Sequence, residues 1–169
     1  MRVPVAQTIF RAALLAVLFL AARPLAADDA TVLTISGKIE GGKAVGMTLS
    51  DIRALPPVTI ATFDPWDRRE RTYVGPRILD ILKKVGYAPT AQRIRIHASN
   101  DYEIPILIKD LKRLGHILSY EMDGKPYAEY EQPGNKGELA VAIDFGKSDV
   151  DMEIYKHQLV WWVDAIVVE

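Results

Sequence analysis

The sequence predicts an α+β fold, a mixed β-sheet with short connecting helices. Several short stretches alternate between apolar and polar residues, as half-buried strands do, and residues 93–99 show this most clearly. Short runs with helical spacing of apolar residues lie between them, for example residues 78–85. Strands and helices follow one another without a regular β-α-β rhythm and without an internal repeat, which favours an α+β arrangement.

The predicted elements are spread along the chain after a leader. The predicted strands cover residues 31–39, 58–63, 93–99, 104–108, 117–122, 138–145 and 160–168, with a return strand ending at Gly75. The predicted helices cover residues 49–54, 78–85, 109–114 and a last segment up to about residue 159.

Local signals support these boundaries. Thr48 followed by Asp51 has the pattern of a capping box at a helix start, and Ser148 followed by Asp151 repeats it. Gly86 is typical of the residue just after a helix. Pro105 cannot donate a backbone hydrogen bond, so the strand that contains it is expected at a sheet edge.

Residues 1–27 have the features of a secretory signal peptide. Arg2 and Arg11 precede an apolar run over residues 12–22, and small residues follow up to Ala27. The run is shorter than the roughly 20 residues of a membrane-spanning helix. We expect cleavage near Ala27, a periplasmic protein and one mature domain over residues 28–169. The alternative is an uncleaved membrane anchor.

The composition excludes several kinds of site. The chain of 169 residues has no cysteine, which excludes disulfides, zinc ribbons, thiol nucleophiles and iron–sulfur clusters. The formal net charge is −1, and the leader holds three arginines and no acidic residue, so the remainder is more acidic than the whole. This balance argues against nucleic acid as a partner.

No metal site is predicted either. The three histidines, His97, His116 and His157, lie far apart and lack ligand-like spacing. The acidic residues between positions 149 and 153 fit the first turn of a helix, where carboxylates favour the helix dipole.

The first candidate binding feature is the predicted hairpin turn. Trp66 lies there beside Asp64 and Asp67 and ahead of a basic run. A large aromatic side chain among mixed charges could grip a small ring ligand. The alternative is that Trp66 only covers the edge of the core.

The second candidate is the polar run after the strand at 93–99. Asn100 and Asp101 could pair with a donor–acceptor edge, and Tyr102 could stack on a ring. The alternative is an ordinary Asn-Asp turn.

The third candidate is the pair Trp161-Trp162. On a strand the two side chains would point to opposite faces. Trp162 would share its face with Asp164, whereas the face of Trp161 is wholly apolar. Trp162 is therefore the better candidate for a binding site.

Several short motifs occur in a distinctive order over residues 31–168. They read T-x-S-G-x-I, L-S-D-I-R-A-L-P-P-V-T, Y-x-G-x-x-I-L-D-I-L, S-N-D-Y-x-I-P, L-S-Y-E-M-D-G-K-P-Y and W-x-V-x-x-I-x-V. This order resembles the sulfite-oxidase-type molybdopterin-binding domain, in particular its small exported members. The resemblance implies the fold of that domain.

The departures from the family pattern bear on activity. Catalytic members supply a cysteine thiolate to molybdenum after the strand that matches residues 58–63, where this chain reads Thr62-Phe63-Asp64-Pro65-Trp66. Basic residues expected on the cofactor are replaced by Glu138, Ala140 and Trp161. The resemblance therefore implies a pocket without the molybdenum cofactor.

The resemblance extends to Cys-less exported relatives, some of which bind free reduced pterins and signal through membrane-bound partners, including cyclic-di-GMP enzymes with periplasmic sensor domains. The resemblance implies a periplasmic, non-catalytic pterin-binding protein that acts as sensor or carrier. The residues expected around the pterin are Asp64, Trp66, Tyr73, Arg77, Asn100, Asp101, Tyr102 and Trp162. The alternatives are a molybdopterin-dependent oxidoreductase and a structural protein with a vestigial pocket.

Overall fold

The computed structural model describes residues 30–130, 137–147 and 150–169. The predicted signal peptide and Ser148 lie outside these residues. The strands are β1 (Thr31–Gly37), β2 (Val45–Thr48), β3 (Pro57–Asp64), β4 (Arg69–Pro76), β5 (Arg93–Ala98), β6 (Glu103–Leu107), β7 (Ile117–Ser119), β8 (Glu121–Met122), β9 (Lys125–Pro126), β10 (Ala140–Ala142) and β11 (Val163–Val168). The helices are α1 (Leu49–Arg53), α2 (Ile78–Lys84), α3 (Ile108–Leu114) and α4 (Met152–Tyr155), with short 3-10 turns at Glu40–Gly42, Tyr127–Glu129 and Lys156–Gln158.

The strands form three sheets. The largest has the order β2-β1-β11-β5-β6, in which β1 and β11 run parallel and the other pairs antiparallel. A second has the order β3-β4-β8-β9, and β10 pairs with β7 in a third. The predicted α+β fold with a mixed sheet and short connecting helices is confirmed. Pro105 lies on β6 at the edge of its sheet, as expected.

The main core lies on one face of the five-stranded sheet. Its strands alternate there as the sequence predicts, so that side chains such as Ile35, Ile96 and Ile166 are fully buried. Helices α1, α2 and α3 cover this face with their own buried side chains. Each buried isoleucine contributes about 1.5–3 kcal/mol of stability. One smaller cluster combines side chains of the second and third sheets, and another joins the end of α3 to residues 143–145, Val150 and Leu159.

Helix α1 begins at the predicted capping box. The Thr48 hydroxyl accepts a hydrogen bond from the backbone N–H of Asp51, and the Asp51 carboxylate accepts one from the backbone N–H of Thr48 at 3.0 Å. Gly86 follows α2 with φ of 66°, a conformation that favours glycine. No helix within the described ranges is long and apolar enough to cross a membrane.

Several predicted boundaries are wrong. The strand predicted over 117–122 is split into β7 and β8, which belong to different sheets. The strand predicted over 138–145 is shortened to β10. The last helix begins after Asp151, whose carboxylate accepts a hydrogen bond from the Glu153 N–H at 2.9 Å, and it ends at Tyr155. Residues 160–162 precede β11 instead of belonging to it.

The split between β7 and β8 has a cause at Gly75. A Cβ atom on this residue would lie 2.0 Å from the Leu118 carbonyl oxygen and 2.6 Å from the Ser119 Cα. The Ser119 hydroxyl donates to the Val74 carbonyl at 3.0 Å, and the Tyr120 N–H donates to the same oxygen. Strand β4 therefore contacts β7 backbone to backbone, and this close approach requires glycine.

We predict that Gly75→Ala destabilises the protein by about 2 kcal/mol or more, because the methyl group meets fixed backbone atoms. Urea denaturation followed by circular dichroism measures this. Gly146→Ala is the matched control, since its Cβ would meet only the Asp144 side chain, at 3.2 Å. Equal stability of the two variants would contradict the contact described for Gly75.

Candidate ligand cleft

A cleft of about 270 Å³ lies where the β3–β4 hairpin, the loop after β5 and the segment before β11 meet. Its lining residues are Trp66, Asn100, Tyr102, His157, Leu159, Val160, Trp161 and Trp162. Five of these eight carry an aromatic ring, and none is a lysine, arginine, aspartate or glutamate. The volume suits a single small ring ligand, since pockets for drug-sized ligands begin at roughly 300 Å³.

Asp64 positions Trp66 at the hairpin turn. Its buried carboxylate accepts hydrogen bonds from the backbone N–H of Trp66 at 2.8 Å, from that of Asp67 at 3.1 Å and from the Tyr73 hydroxyl at 2.6 Å. Burial and the neighbouring Asp64 carboxylate raise the pKa of Tyr73 far above its usual value, so its hydroxyl stays a donor. The Trp66 side chain remains 47% exposed above this support.

A second interaction, between Arg71 and two aspartates, also holds this turn. The Arg71 guanidinium, which is buried, bonds Asp67 through Nε at 3.0 Å and through a terminal nitrogen at 2.5 Å, and its other terminal nitrogen bonds Asp123 at 2.5 Å. Asp123 begins the turn between β8 and β9, so Arg71 ties the hairpin to the rest of its sheet. The geometry is that of a strong, charge-assisted pair.

The loop after β5 contributes the opposite wall. Asp101 has φ of 64° and donates its N–H to the Ala98 carbonyl at 2.9 Å, which closes a tight turn. Asn100 Oδ1 accepts from the Tyr102 N–H at 3.3 Å. The Tyr102 hydroxyl donates to the His157 carbonyl at 3.0 Å, which joins this loop to the 3-10 turn after α4.

The two adjacent tryptophans do not alternate across a strand as expected. Trp162 has φ of 57°, and its carbonyl accepts a hydrogen bond from the Ser99 N–H at 2.9 Å. A bulky residue in this region costs about 1–3 kcal/mol, and such strain clusters at functional sites. Because of this turn both Trp161 and Trp162 line the cleft, with their rings 6.0 Å apart and nearly perpendicular.

The cleft floor rests on all three hydrophobic clusters. Trp162 packs against the main core, and Trp161 packs against both smaller clusters. The Trp66 ring lies 6.0 Å from the His157 ring at an angle of 52°. All three tryptophans of the chain therefore line this cleft.

The structure brings half of the expected ligand-binding residues together. Trp66, Asn100, Tyr102 and Trp162 line the cleft, whereas Asp64, Tyr73, Arg77 and Asp101 do not.

The four others have structural positions. Asp64 and Tyr73 are buried beneath the hairpin turn. Arg77 precedes α2 and donates to the Gly115 carbonyl at 3.3 Å. The exposed Asp101 shapes its turn instead of forming a wall. No ligand-binding role follows for these four from their contacts.

The sequence analysis missed four lining residues, His157, Leu159, Val160 and Trp161. All lie in the segment that was predicted to be helix end and strand start. The one available signal was the apolar-aromatic run that ends in two tryptophans.

A buried histidine supports this segment from behind. His116 Nε2 lies 2.7 Å from Gln158 Oε1, and the imidazole is almost completely buried. Burial lowers the pKa of His116 to about 4, so the ring is neutral at pH 7. The contact holds the 3-10 turn that carries His157 against β7.

The donor set does not fit a molybdenum cofactor. The chain has no cysteine to supply a thiolate. Among residues 30–130, 137–147 and 150–169 no group of three or more histidine or acidic side chains could hold a metal ion. The cleft lining also has no lysine or arginine for a cofactor phosphate.

Comparison with known proteins adds a distant structural likeness. No family model matches the chain, and no curated protein matches its sequence. Among solved structures, the sulfane dehydrogenase SoxCD from Paracoccus pantotrophus is similar, with a TM-score of 0.60 and 14% sequence identity over 87% of this chain. The match spans 40% of that protein's chain. The likeness supports a molybdopterin-oxidoreductase-like fold, as the motif order implied.

We predict that Tyr73→Phe destabilises the protein by about 2 kcal/mol, because the buried Asp64 carboxylate loses a donor. Tyr102→Phe is the matched control, since its hydroxyl bonds a backbone carbonyl at an exposed position, and it should cost about 0.5 kcal/mol or less. Denaturant unfolding of both variants measures the difference. Similar losses would show that Asp64 does not depend on Tyr73.

A second prediction concerns pH. The folded pKa of His116, about 4, lies below its unfolded value of about 6.5, so the unfolded state binds the proton first as pH falls. Stability contributed by neutral His116 is present above pH 6.5 and is lost as pH falls towards 4. From pH 7.5 to 5 the wild type should lose about 2 kcal/mol more than His116→Gln. Urea denaturation at both pH values tests this, and parallel losses in the two proteins would refute it.

Proposed function

We propose that the protein binds a pterin in the aromatic cleft without metal chemistry and acts as a periplasmic sensor or carrier. The observation that carries this proposal is the composition of the cleft, which combines five aromatic rings, one of them the His157 imidazole, with no lysine, arginine, aspartate or glutamate. A pterin is a flat heterocycle that stacks on aromatic rings in offset or edge-on arrangements. The Asn100 side chain adds an amide with both donors and an acceptor for the edge of such a ring.

The lining also bears on the kind of pterin. A phosphorylated pterin such as the organic part of the molybdenum cofactor needs cationic partners for its phosphate. The lining offers none, so the proposal is restricted to an unphosphorylated ring. With no thiolate in the chain, oxygen-atom transfer at molybdenum is not part of the proposed function.

Exposure at the cleft mouth supports a role in sensing. Trp66 and Tyr102 remain 47% and 40% exposed, so a bound ring would change the surface that a partner meets. The proposed partner is the periplasmic domain of a membrane cyclic-di-GMP enzyme, which the resemblance to Cys-less relatives suggests. Export through the leader at residues 1–27 is part of the same proposal.

Two other functions compete with this one. An oxidoreductase with a molybdenum cofactor would need a metal ligand other than a cysteine thiolate, because this chain has no cysteine. A structural protein with a vestigial pocket would leave the cleft without a ligand. Metal analysis of protein isolated from cells distinguishes the molybdenum oxidoreductase from our proposal. Stoichiometric molybdenum would overturn our proposal.

We predict that dihydroneopterin binds the ligand-free protein and quenches its tryptophan emission, since all three tryptophans line the cleft. Trp66→Ala and Trp162→Ala should each weaken binding about tenfold, the effect of losing one stacked ring. Calorimetric titration provides an affinity that does not rely on emission.

Phe63→Ala is the matched control for these variants. Phe63 is an exposed aromatic residue on the same hairpin but does not line the cleft, so its loss should leave affinity unchanged. Absence of binding to the wild type would refute the pterin proposal. Binding that tolerates both tryptophan substitutions would place the pterin elsewhere on the molecule.

A further inference from the structure

A β-bulge lies at the start of β11, beside the cleft. Val163 is opposite Ala98, and Ala165 is opposite His97, so two steps along β11 correspond to one step along β5. Asp164 is therefore the extra residue. Bulges of this kind bend a strand and redirect the side chains around them, often next to a binding site.

One residue, Val163, separates the bulge at Asp164 from Trp162, which lines the cleft. Trp162 lies two positions before Asp164, has φ of 57°, and is held by the hydrogen bond from the Ser99 N–H. Its direction depends on how the chain enters β11. The bulge and the Trp162 turn are thus adjacent along the chain.

One side-chain contact spans the bulge. His97 Nδ1 on β5 lies 2.6 Å from Asp164 Oδ1 on β11. Both side chains are partly exposed, at 31% and 43%, so a proton can reach them from solvent. This contact links β5 to the extra residue of β11 and so restricts the conformation of the bulge.

The charged groups around His97 act mostly in one direction. Glu103 is opposite His97 on β6, Asp101 lies in the following turn, and Arg95 on the same strand is 3.6 Å from Glu103. The hydrogen bond to Asp164 raises the pKa of His97, partial burial lowers it, and the carboxylates of Asp164, Glu103 and Asp101 raise it further. Net acidic surroundings favour the charged imidazole.

We propose that protonated His97 fixes the Asp164 bulge and with it Trp162, so that pterin affinity falls as pH rises and His97 loses its charge. This regulation rests on the proposed pterin-binding function. The physical basis is that a charge-assisted hydrogen bond is roughly twice as strong as a neutral one. A wall that is already held in place loses less conformational freedom when the ligand binds. His97 and Asp164 are positioning residues that act through Trp162.

The test measures dihydroneopterin affinity by calorimetry from acidic to mildly alkaline pH in the wild type and in His97→Gln. Ionisation of the pterin is common to both proteins, so the comparison isolates His97. We expect wild-type affinity to fall about fivefold more than that of His97→Gln across the titration of His97. Asp164→Asn should flatten the profile in the same way.

Glu103→Gln is the matched control, because it removes a neighbouring charge but keeps the His97–Asp164 contact. It should retain the pH dependence with its midpoint at lower pH. Identical pH profiles in the wild type, His97→Gln and Asp164→Asn would overturn the inference.

A second measurement needs no ligand. Tryptophan emission of the ligand-free protein should titrate in the wild type with a component that His97→Gln lacks, since Trp162 reports the bulge. If dihydroneopterin binds at no pH, the proposed function fails and with it the predicted change in affinity, and this emission titration then decides whether His97 fixes the bulge. The absence of that component in the wild type would overturn it.

Discussion

The candidate site depends on the hydrogen bonds that the Asp64 carboxylate accepts. This carboxylate is completely buried, and it accepts hydrogen bonds from two backbone N–H groups of the hairpin turn and from the Tyr73 hydroxyl. A buried carboxylate is tolerated only when its oxygens are satisfied in this way. The turn therefore has one favourable conformation, and that conformation presents Trp66 to the cleft. Arg71 then holds the turn to the β8–β9 turn through Asp67 and Asp123.

The cleft forms where three segments that are distant in sequence meet over the three hydrophobic clusters. The hairpin turn, the loop after β5 and the segment before β11 are joined by the Tyr102–His157 hydrogen bond and the contact between the Trp66 and His157 rings. These two contacts are polar or aromatic, whereas the floor is apolar and continuous with the buried clusters. This combination of rings over an apolar floor, without lysine, arginine, aspartate or glutamate in the lining, suits an uncharged aromatic ligand.

Sequence reasoning succeeded where the signal is local. Alternation located β1, β3 and β5, and the Thr48 capping box and Gly86 marked the ends of helices. It failed where a long-range contact decides. The contact between Gly75 and Leu118 divides one predicted strand, and the turn at Trp162 depends on a hydrogen bond from Ser99. In the site, exposed aromatics near turns were recognisable, but a carboxylate that supports a turn and one that contacts a ligand have the same local sequence. Asp64 was for that reason assigned to ligand binding.

The close approach at Gly75 has a consequence for how the cleft can adapt to guests of different size. Strand β4 and the backbone of β7 are in contact without intervening side chains. The packing of these two strands beneath Trp161 therefore cannot adjust to a larger ligand. The segment that carries α4 and the 3-10 turn is instead held by side-chain hydrogen bonds from Tyr102, Arg113 and His116 and by the packing of Leu159 in a small apolar cluster. We therefore expect the cleft to adapt to a bulky ring substituent on that flank rather than at β4 and β7.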